Sequence, residues 1–526
     1  MKLLFQSLTA HAESTPEKTA VVFRQQRMTY GEWERDSNRA AHVLRANGVV
    51  AGDRVCLAIP KSPLALIWSL GILKAGAICV PLDPLSPASR IAKVLQVCTP
   101  RLVLGSGSMA NVLSQLRDSD GLPPLRIGWV EAAAPSFGVS LDLTRAPAEA
   151  TTRPDVRVTP EDCAYVLFTS GTTGVPKGVM MTHASIYAFN EWAVDHFRMN
   201  GTDRVSGNFA LNFDPSLFDI YATLLAGATL YQVPPELHLL PVALAELIRT
   251  AELTIWWSVP AVLSYLVRFN AVRQDDFPSL TRVLWSGEAC PTPVVRHLMR
   301  RLPHATFTNL YGPTETAIAS TWFTVPAVPA SDQEEIPIGV ACPGEHVAVL
   351  DDDLAPLPVG TTGELHIAGV GLSPGYFANS SETVRAFVKR GDERWYKTGD
   401  LARVDEAGLV YFLGRKDSQI KVRGYRIELG EVESALHAVA GLSEVCVVAI
   451  AGAGGPFICC AYASRTGEPI GIDVARGELA QLIPAYMLPV RWQHYDHIPR
   501  NANGKLDRPQ VAHDFQERET ALAAQL

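Results

Sequence analysis

The sequence predicts an α/β protein of parallel sheets with crossover helices, followed by a small β-rich part and a separate C-terminal α+β part. Three observations carry this. Short apolar runs alternate with amphipathic stretches through the first three quarters of the chain. The character shifts between Gly339 and Gly369, and it shifts again after Gly414.

The apolar runs Val55–Ile59, Ile78–Pro81, Ala164–Phe168, Thr254–Ser258 and Thr281–Trp285 read as buried strands. Between them, Tyr30–Asn47 and Val242–Ala251 space their apolar residues as one face of a helix. The most apolar stretch, Leu64–Leu82, is broken by Lys74 and Gly76 and reads as a buried helix and strand, since a membrane span needs about 20 apolar residues. From Gly339 to Gly369 short β-like runs are interrupted by Asp351–Asp353 and Pro358–Gly363, as expected of a small antiparallel or barrel-like unit. Beyond Gly414, basic glycine-containing sequence leads into a helix opening near Leu429–Glu433, so a domain boundary is expected at about Asp417. The stretch after Arg508 reads as a helix or a frayed tail.

A chain of 526 residues exceeds one ordinary core and, at about 150 residues per domain, is expected to form three or four compact units. A composition of 47% hydrophobic and 19% charged residues is that of a globular protein. The net charge of -8 argues against a nucleic-acid partner, which needs clustered Lys and Arg. Met1–Gln6 holds too few apolar residues for a signal-peptide core. The nine cysteines are scattered, none in a Cys-x-x-Cys pair, and read as buried reduced thiols of a cytoplasmic enzyme. His494 and His497 lack a clear third ligand and read as structural or surface histidines.

The most specific local feature is Thr169–Gly178, which follows a strand-like run. Gly171, Gly174 and Gly178 allow backbone torsions that expose N–H groups as an anion nest. Thr169, Ser170, Thr172 and Thr173 add hydroxyls, and Lys177 adds a positive charge. The set suits a polyphosphate, although it lacks the Walker A spacing. Gly369, Gly371 and Gly375 are misspaced for a dinucleotide fingerprint and read as a turn.

The Thr169–Gly178 segment resembles the phosphate loop of the adenylate-forming superfamily, which includes acyl-CoA synthetases, luciferases and the adenylation domains of nonribosomal peptide synthetases. Other segments resemble that family's motifs in order: Leu73–Asp83, Phe213–Asp214, Asn309–Glu315, Gly363–Ile367, Tyr396–Asp400, Gly414–Glu431, Pro484–Pro489 and Asn503–Arg508. The resemblance spans nearly the whole chain. It implies a large N-terminal domain over residues 1–416, made of two parallel-type αβ-sheet subdomains and a small β-barrel. A small mobile C-terminal lid domain would follow over residues 417–526.

The resemblance also implies roles. Tyr311, next to Gly312, would stack on adenine, and Asn309 would meet its edge. Thr314 would touch the α-phosphate, Glu315 would hold Mg²⁺, and Asp400 would grip the ribose hydroxyls with Arg415 nearby. Lys505 would bridge the substrate carboxylate and the nucleotide, and Thr169 would act with it in catalysis. Asp417 matches the hinge aspartate, and Gly424 a glycine lining the approach of the acceptor thiol.

Asp214 matches the aspartate that pairs with an α-ammonium group in amino-acid-activating relatives; Asp-Pro is equally a helix-start signal. The other pocket positions are Pro215, Phe218, Trp257, Leu284, Ser286, Leu310, Ile318 and Ala319, apolar apart from Ser286. Such a pocket suits a compact ring or short aliphatic side chain. The pattern is similar to that of freestanding prolyl–carrier-protein ligases, which the run Pro81–Pro87 also resembles, while Pro215, Phe218 and Trp257 depart from it. The expected activity is ATP- and Mg²⁺-dependent activation of a small apolar amino acid, proline first, in natural-product biosynthesis. No phosphopantetheine attachment site follows Arg508, so the acceptor is expected in trans, and the peptide-synthetase-like motifs imply the phosphopantetheine arm of a freestanding carrier protein rather than CoA. The alternative is an acyl-CoA ligase for a small aryl or aliphatic acid, in which Asp214 would be structural.

Overall fold

A computed structural model of the chain describes residues 3–118, 122–131, 135, 137, 139, 141–142, 151–171, 174–417, 419–452, 455–501 and 506–524. The chain divides into two compact units. One comprises Met1–Pro84, Val97–Phe168 and Gly178–Lys416; the other comprises Leu85–Gln96, Thr169–Lys177 and Asp417–Leu526.

The first unit is α/β. Its larger sheet has nine strands, with six consecutive neighbours running parallel: Thr19–Phe23, Thr229–Gln232, Arg204–Gly207, Ile255–Ser258, Arg282–Ser286 and Thr306–Tyr311. Antiparallel strands flank them at both edges, Gln26–Thr29 on one side and Thr321–Thr324 then Val340–Ala341 on the other. A seven-stranded sheet contains Arg54–Ala58 between Leu102–Gly105 and Ile78–Pro81, all parallel. Helices Tyr30–Ala46 and Pro241–Thr250 fall where the apolar spacing places them, Pro63–Lys74 lies in the most apolar stretch, and Pro215–Ala226 follows the Asp-Pro signal.

Local chemistry accounts for the helix starts. Thr29 and Glu32 form a reciprocal capping box before Tyr30–Ala46, and Ser62 caps Pro63–Lys74 with proline at its first turn. Lys74, which interrupts the most apolar stretch, is wholly buried because its ammonium finds acceptors at Glu34 Oε2 (2.7 Å), Ser37 Oγ (2.8 Å) and Asn38 Oδ1 (2.8 Å).

The antiparallel part extends further than the Gly339–Gly369 stretch. Five strands, Glu345–Leu350, Gly363–Gly369, Phe387–Arg390, Glu393–Val404 and Val410–Arg415, form one antiparallel sheet. Gly371 lies in the turn after the strand Gly363–Gly369, where its N–H donates to the buried Glu345 carboxylate at 2.6 Å.

The second unit is α+β. The hairpin Gln419–Val422/Tyr425–Glu428 leads into the helix Leu429–Leu436. A three-stranded sheet, Leu442–Ile450, Phe457–Ser464 and Arg491–His494, forms its centre. Alternation along the strands separates two cores. Val445, Val447, Ile458 and Cys460 pack with Val432 and Leu436 on one face. Cys446, Val448, Cys459 and Ala461 pack with Val511 and Phe515 of the helix Arg508–Ala524 on the other. The adjacent thiols Cys459 and Cys460 therefore point to opposite layers. All nine cysteines are free. Among the described residues no helix is long and apolar enough to cross a membrane.

Candidate active site

In the first unit, two groups of expected residues converge. The first lies at the end of the strand Thr306–Tyr311. Tyr311 is buried, and its hydroxyl donates to Asp400 Oδ2, while Arg415 donates to Asp400 Oδ1. Asp400 and Arg415 are direct cross-strand partners in the antiparallel sheet, so the ion pair is built into the register. Thr398 Oγ1 accepts the Asp400 N–H at 3.0 Å. Burial pushes the Tyr311 phenol well above its ordinary range, and the Asp400 charge adds to the effect. Phe412, which sequence reasoning missed, lies 6.4 Å from the Tyr311 ring.

Asn309, on the same strand, donates its side-chain amide to Pro337 O at 2.9 Å. Gly312 follows Tyr311, where a Cβ would stand 2.6 Å from Ala319 Cα; the close approach of the two segments requires glycine. Thr314 and Glu315 form a short 3₁₀ turn. Glu315 is fully buried, and Tyr376 donates its hydroxyl to Glu315 Oε1 at 2.8 Å. Tyr376 was not singled out from sequence; its aromatic hydroxyl lacks a motif of its own.

The second group is the apolar wall. Strand register sets Trp257 beside Leu284 and Ser286 beside Leu310. Alternation puts these four on one sheet face, with Trp256, Val283, Trp285 and Phe307 on the other. Phe218 stands edge-on to Trp257 with ring centroids 4.7 Å apart. The Trp257 indole N–H donates to Ser286 Oγ at 3.0 Å, so the set's single polar side chain is engaged by the wall itself. Pro215, Ile318 and Ala319 are buried too. Ile318 has φ 76°, an unusual conformation for a β-branched residue, following Ala317 at φ 53°. Phe189, also missed, touches both Phe218 and Trp257 and continues to Trp192; its spacing from Trp192 on the helix His183–His196 was the available signal.

Asp214 directly precedes the helix Pro215–Ala226, which starts with proline. Its side chain makes no capping hydrogen bond, and its backbone is already helical at φ -59°, ψ -33°. The helix-start signal is thus carried by Pro215 and the backbone, leaving the Asp214 carboxylate outside the capping role. Phe218 lies one turn on, on the same helix face.

The second unit holds Thr169, Ser170, Gly171, Gly174 and Lys177 together with Asp417 and Gly424. Ser170 Oγ donates to Arg426 O at 2.7 Å and accepts from Glu428 N at 3.2 Å. Gly174 has φ 75°, and its carbonyl accepts from Lys93 at 3.0 Å. Burial pushes the Glu431 carboxyl up, while Arg90, Lys93 and the Gly171 amide pull it back. Asp417 Oδ1 accepts from Gln419 N at 3.1 Å, and Gly424 turns the hairpin at φ 83°. Thr172, Thr173 and Lys505 lie outside the described residues.

Comparison with known proteins places these observations in context. The profile of the family described as "AMP-binding enzyme" matches residues 8–377. The L-proline–[L-prolyl-carrier protein] ligase of Pseudomonas fluorescens is 34% identical over 97% of this chain and 98% of its own length. Tyrocidine synthase 3 of Brevibacillus parabrevis is 34% identical over 96% of this chain, which spans 8% of that protein. Among solved structures, holo-PA1221, a nonribosomal peptide synthetase protein containing adenylation and peptidyl-carrier-protein domains, is 25% identical. It matches with a TM-score of 0.80 over 97% of this chain and 84% of its own.

Proposed function

The chain belongs to the AMP-binding enzymes, a family of adenylate-forming ligases, and from that premise we propose that it activates a small apolar amino acid, proline first, as aminoacyl-AMP. The acyl group then passes to the phosphopantetheine thiol of a freestanding carrier protein. One observation carries the amino-acid reading: partly buried Asp214 stands one turn before Phe218, whose ring meets Trp257 in the apolar wall. A partly buried carboxylate beside apolar side chains suits an ammonium partner. The wall suits a compact side chain without charge.

In the first half-reaction a carboxylate oxygen of the amino acid attacks the α-phosphorus of ATP. The bond to the bridging oxygen breaks and pyrophosphate leaves. Two anions meet, so placement and positive charge lower the barrier. Asp400 offers two carboxylate oxygens to the ribose diol, held by Arg415, and Tyr311 offers its ring to adenine. Asn309 and Gly312 border the base, and Thr314 faces the α-phosphate. Thr169, Ser170, Gly171, Thr172, Thr173, Gly174 and Lys177 would serve as the phosphate loop, and Lys505 would bridge carboxylate and nucleotide. The donor chemistry suits a magnesium nucleotide: Glu315 is a buried carboxylate with one oxygen accepting from Tyr376, and it would hold the ion beside phosphate oxygens. Glu315 would hold Mg²⁺, which would supply charge neutralisation at the phosphates.

In the second half-reaction the thiolate of the carrier attacks the acyl carbon, and AMP leaves as the thioester forms. Asp417 serves as the hinge between residues 1–416 and 417–526, and Gly424 lines the thiol's path.

The test is ATP–pyrophosphate exchange across the proteinogenic amino acids, with benzoate and acetate alongside. Exchange with proline or another small apolar amino acid supports the reading. Exchange with benzoate or acetate and no amino acid overturns it. A different amino acid in front of proline removes the substrate choice alone.

A further inference from the structure

We propose that Asp219 is a positioning residue for substrate recognition: it ties the end of the strand Arg204–Gly207 to the helix Pro215–Ala226 and so fixes the turn that carries Phe213 and Asp214. The inference rests on the reading that Asp214 meets the substrate's ammonium group.

The chain leaves the sheet at Gly207, turns where Phe213 N bonds Ala210 O at 3.0 Å, and enters the helix at Pro215. The span between strand and helix is closed from its far side. Asp219, only 3% exposed, accepts the N–H groups of Asn208 at 2.9 Å and Phe209 at 3.2 Å through one oxygen, Oδ2. These are the first two N–H groups after the strand, so the carboxylate replaces the partners a continuing sheet would give. Asp219 lies on the helix that Asp214 directly precedes, and it holds the opposite end of the loop that leads into Asp214.

The same turn is anchored to three further elements. Asn208 Nδ2 donates to the carbonyl of Trp257, the centre of the apolar wall, at 3.0 Å. Asn208 Oδ1 lies 2.7 Å from His238 Nε2. Lys61, in the loop between the strand Arg54–Ala58 of the other sheet and the helix Pro63–Lys74, donates to Gly207 O. Burial pushes the Asp219 carboxyl up, and Lys61 and the two backbone N–H groups pull it back; burial pushes the Lys61 ammonium down, and Asp219 raises it. The buried carboxylate therefore joins strand end and helix, Asn208 ties the same turn to the apolar wall, and Lys61 adds a bond at Gly207 O.

A displacement of about 1 Å in a binding group costs up to about 100-fold in rate. The experiment compares ATP–pyrophosphate exchange with the amino acid that supports the fastest turnover and with the same acid bearing hydrogen in place of its amino group. In Asp219→Asn, the KM for the amino acid is expected to rise about 10–100-fold, while the KM for ATP and the rate with the deaminated acid stay within about twofold. Preference for the amine therefore collapses. Asn208→Ala, which keeps the carboxylate, is expected to move in the same direction by a smaller factor and serves if Asp219→Asn does not fold. Equal losses with both acids, or unchanged preference, overturn the proposal. Asp214→Asn run in parallel separates the two levels: if it leaves the preference intact, the ammonium reading itself falls, and if it alone abolishes the preference, only the role of Asp219 falls.

Discussion

Tyr311 and Asp400, 89 positions apart in sequence, share a hydrogen bond in the buried floor of the first unit. The base and ribose ends of a nucleotide would thus be read by residues already in contact. Asp400→Asn keeps the shape and removes the charge that Arg415 and a ribose diol both need. The KM for ATP is expected to rise about 10–100-fold in exchange assays, since hydrogen bonds to charged groups contribute about 1.5–3 kcal/mol. Tyr311→Phe retains the ring and loses one hydrogen bond, so its effect stays under about 10-fold.

The hinge assignment separates the half-reactions. Asp417→Pro is expected to leave aminoacyl-AMP formation within about threefold while slowing thioester formation about 10-fold or more, because a stiffened hinge resists the torsional change of the second step. Pyrophosphate exchange reads the first step, and radiolabelled loading of a carrier protein reads the second. Comparable losses in both would remove Asp417 from the hinge.

Lys74 gives a stability prediction independent of catalysis. Lys74→Met fills the same space but strands Glu34, Ser37 and Asn38 without their shared donor, and a cost of about 3–5 kcal/mol is expected in urea unfolding. The double variant Lys74→Met with Glu34→Met removes the stranded charge as well and should recover part of that loss.

His183 makes stability depend on pH. It is 2% exposed, and burial pushes its imidazole down to about 4, with Asp162 opposing the shift. The unfolded chain binds this proton near pH 6.5. Between those values the unfolded state carries more protons, so the contribution is intact above about pH 6.5 and is lost as pH falls towards 4. From pH 7 to pH 5 this amounts to about 2 kcal/mol. The difference in unfolding free energy between the parent and His183→Gln should shrink by that amount over the same interval.

Much of the fold was legible in the sequence because buried parallel strands read as apolar runs: Ile78–Pro81 is a strand with those bounds, and Thr254–Ser258 is offset by one residue from Ile255–Ser258. The edge strand Gln26–Thr29 and its neighbour Thr19–Phe23 were not, since Arg24, Gln25, Gln26 and Arg27 dilute the apolar signal. Individual pocket positions could be named from motifs, but their pairing could not. Only register sets Trp257 beside Leu284 and joins its indole to Ser286. The tether through Asp219 was hidden for the same reason, because it is one of several polar residues in a helix and its partners are backbone N–H groups that leave no mark in the sequence.

The opposed thiols of Cys459 and Cys460 make the C-terminal sheet its own reporter. Each sulfur is shielded by a different set of helices, Cys459 beneath Val511 and Phe515, Cys460 beneath Val432 and Leu436. A small alkylating reagent reaches one sulfur only when the helices over that face lift. Modification at one position ahead of its neighbour would therefore tell which layer peels first, from a single peptide and without an added label.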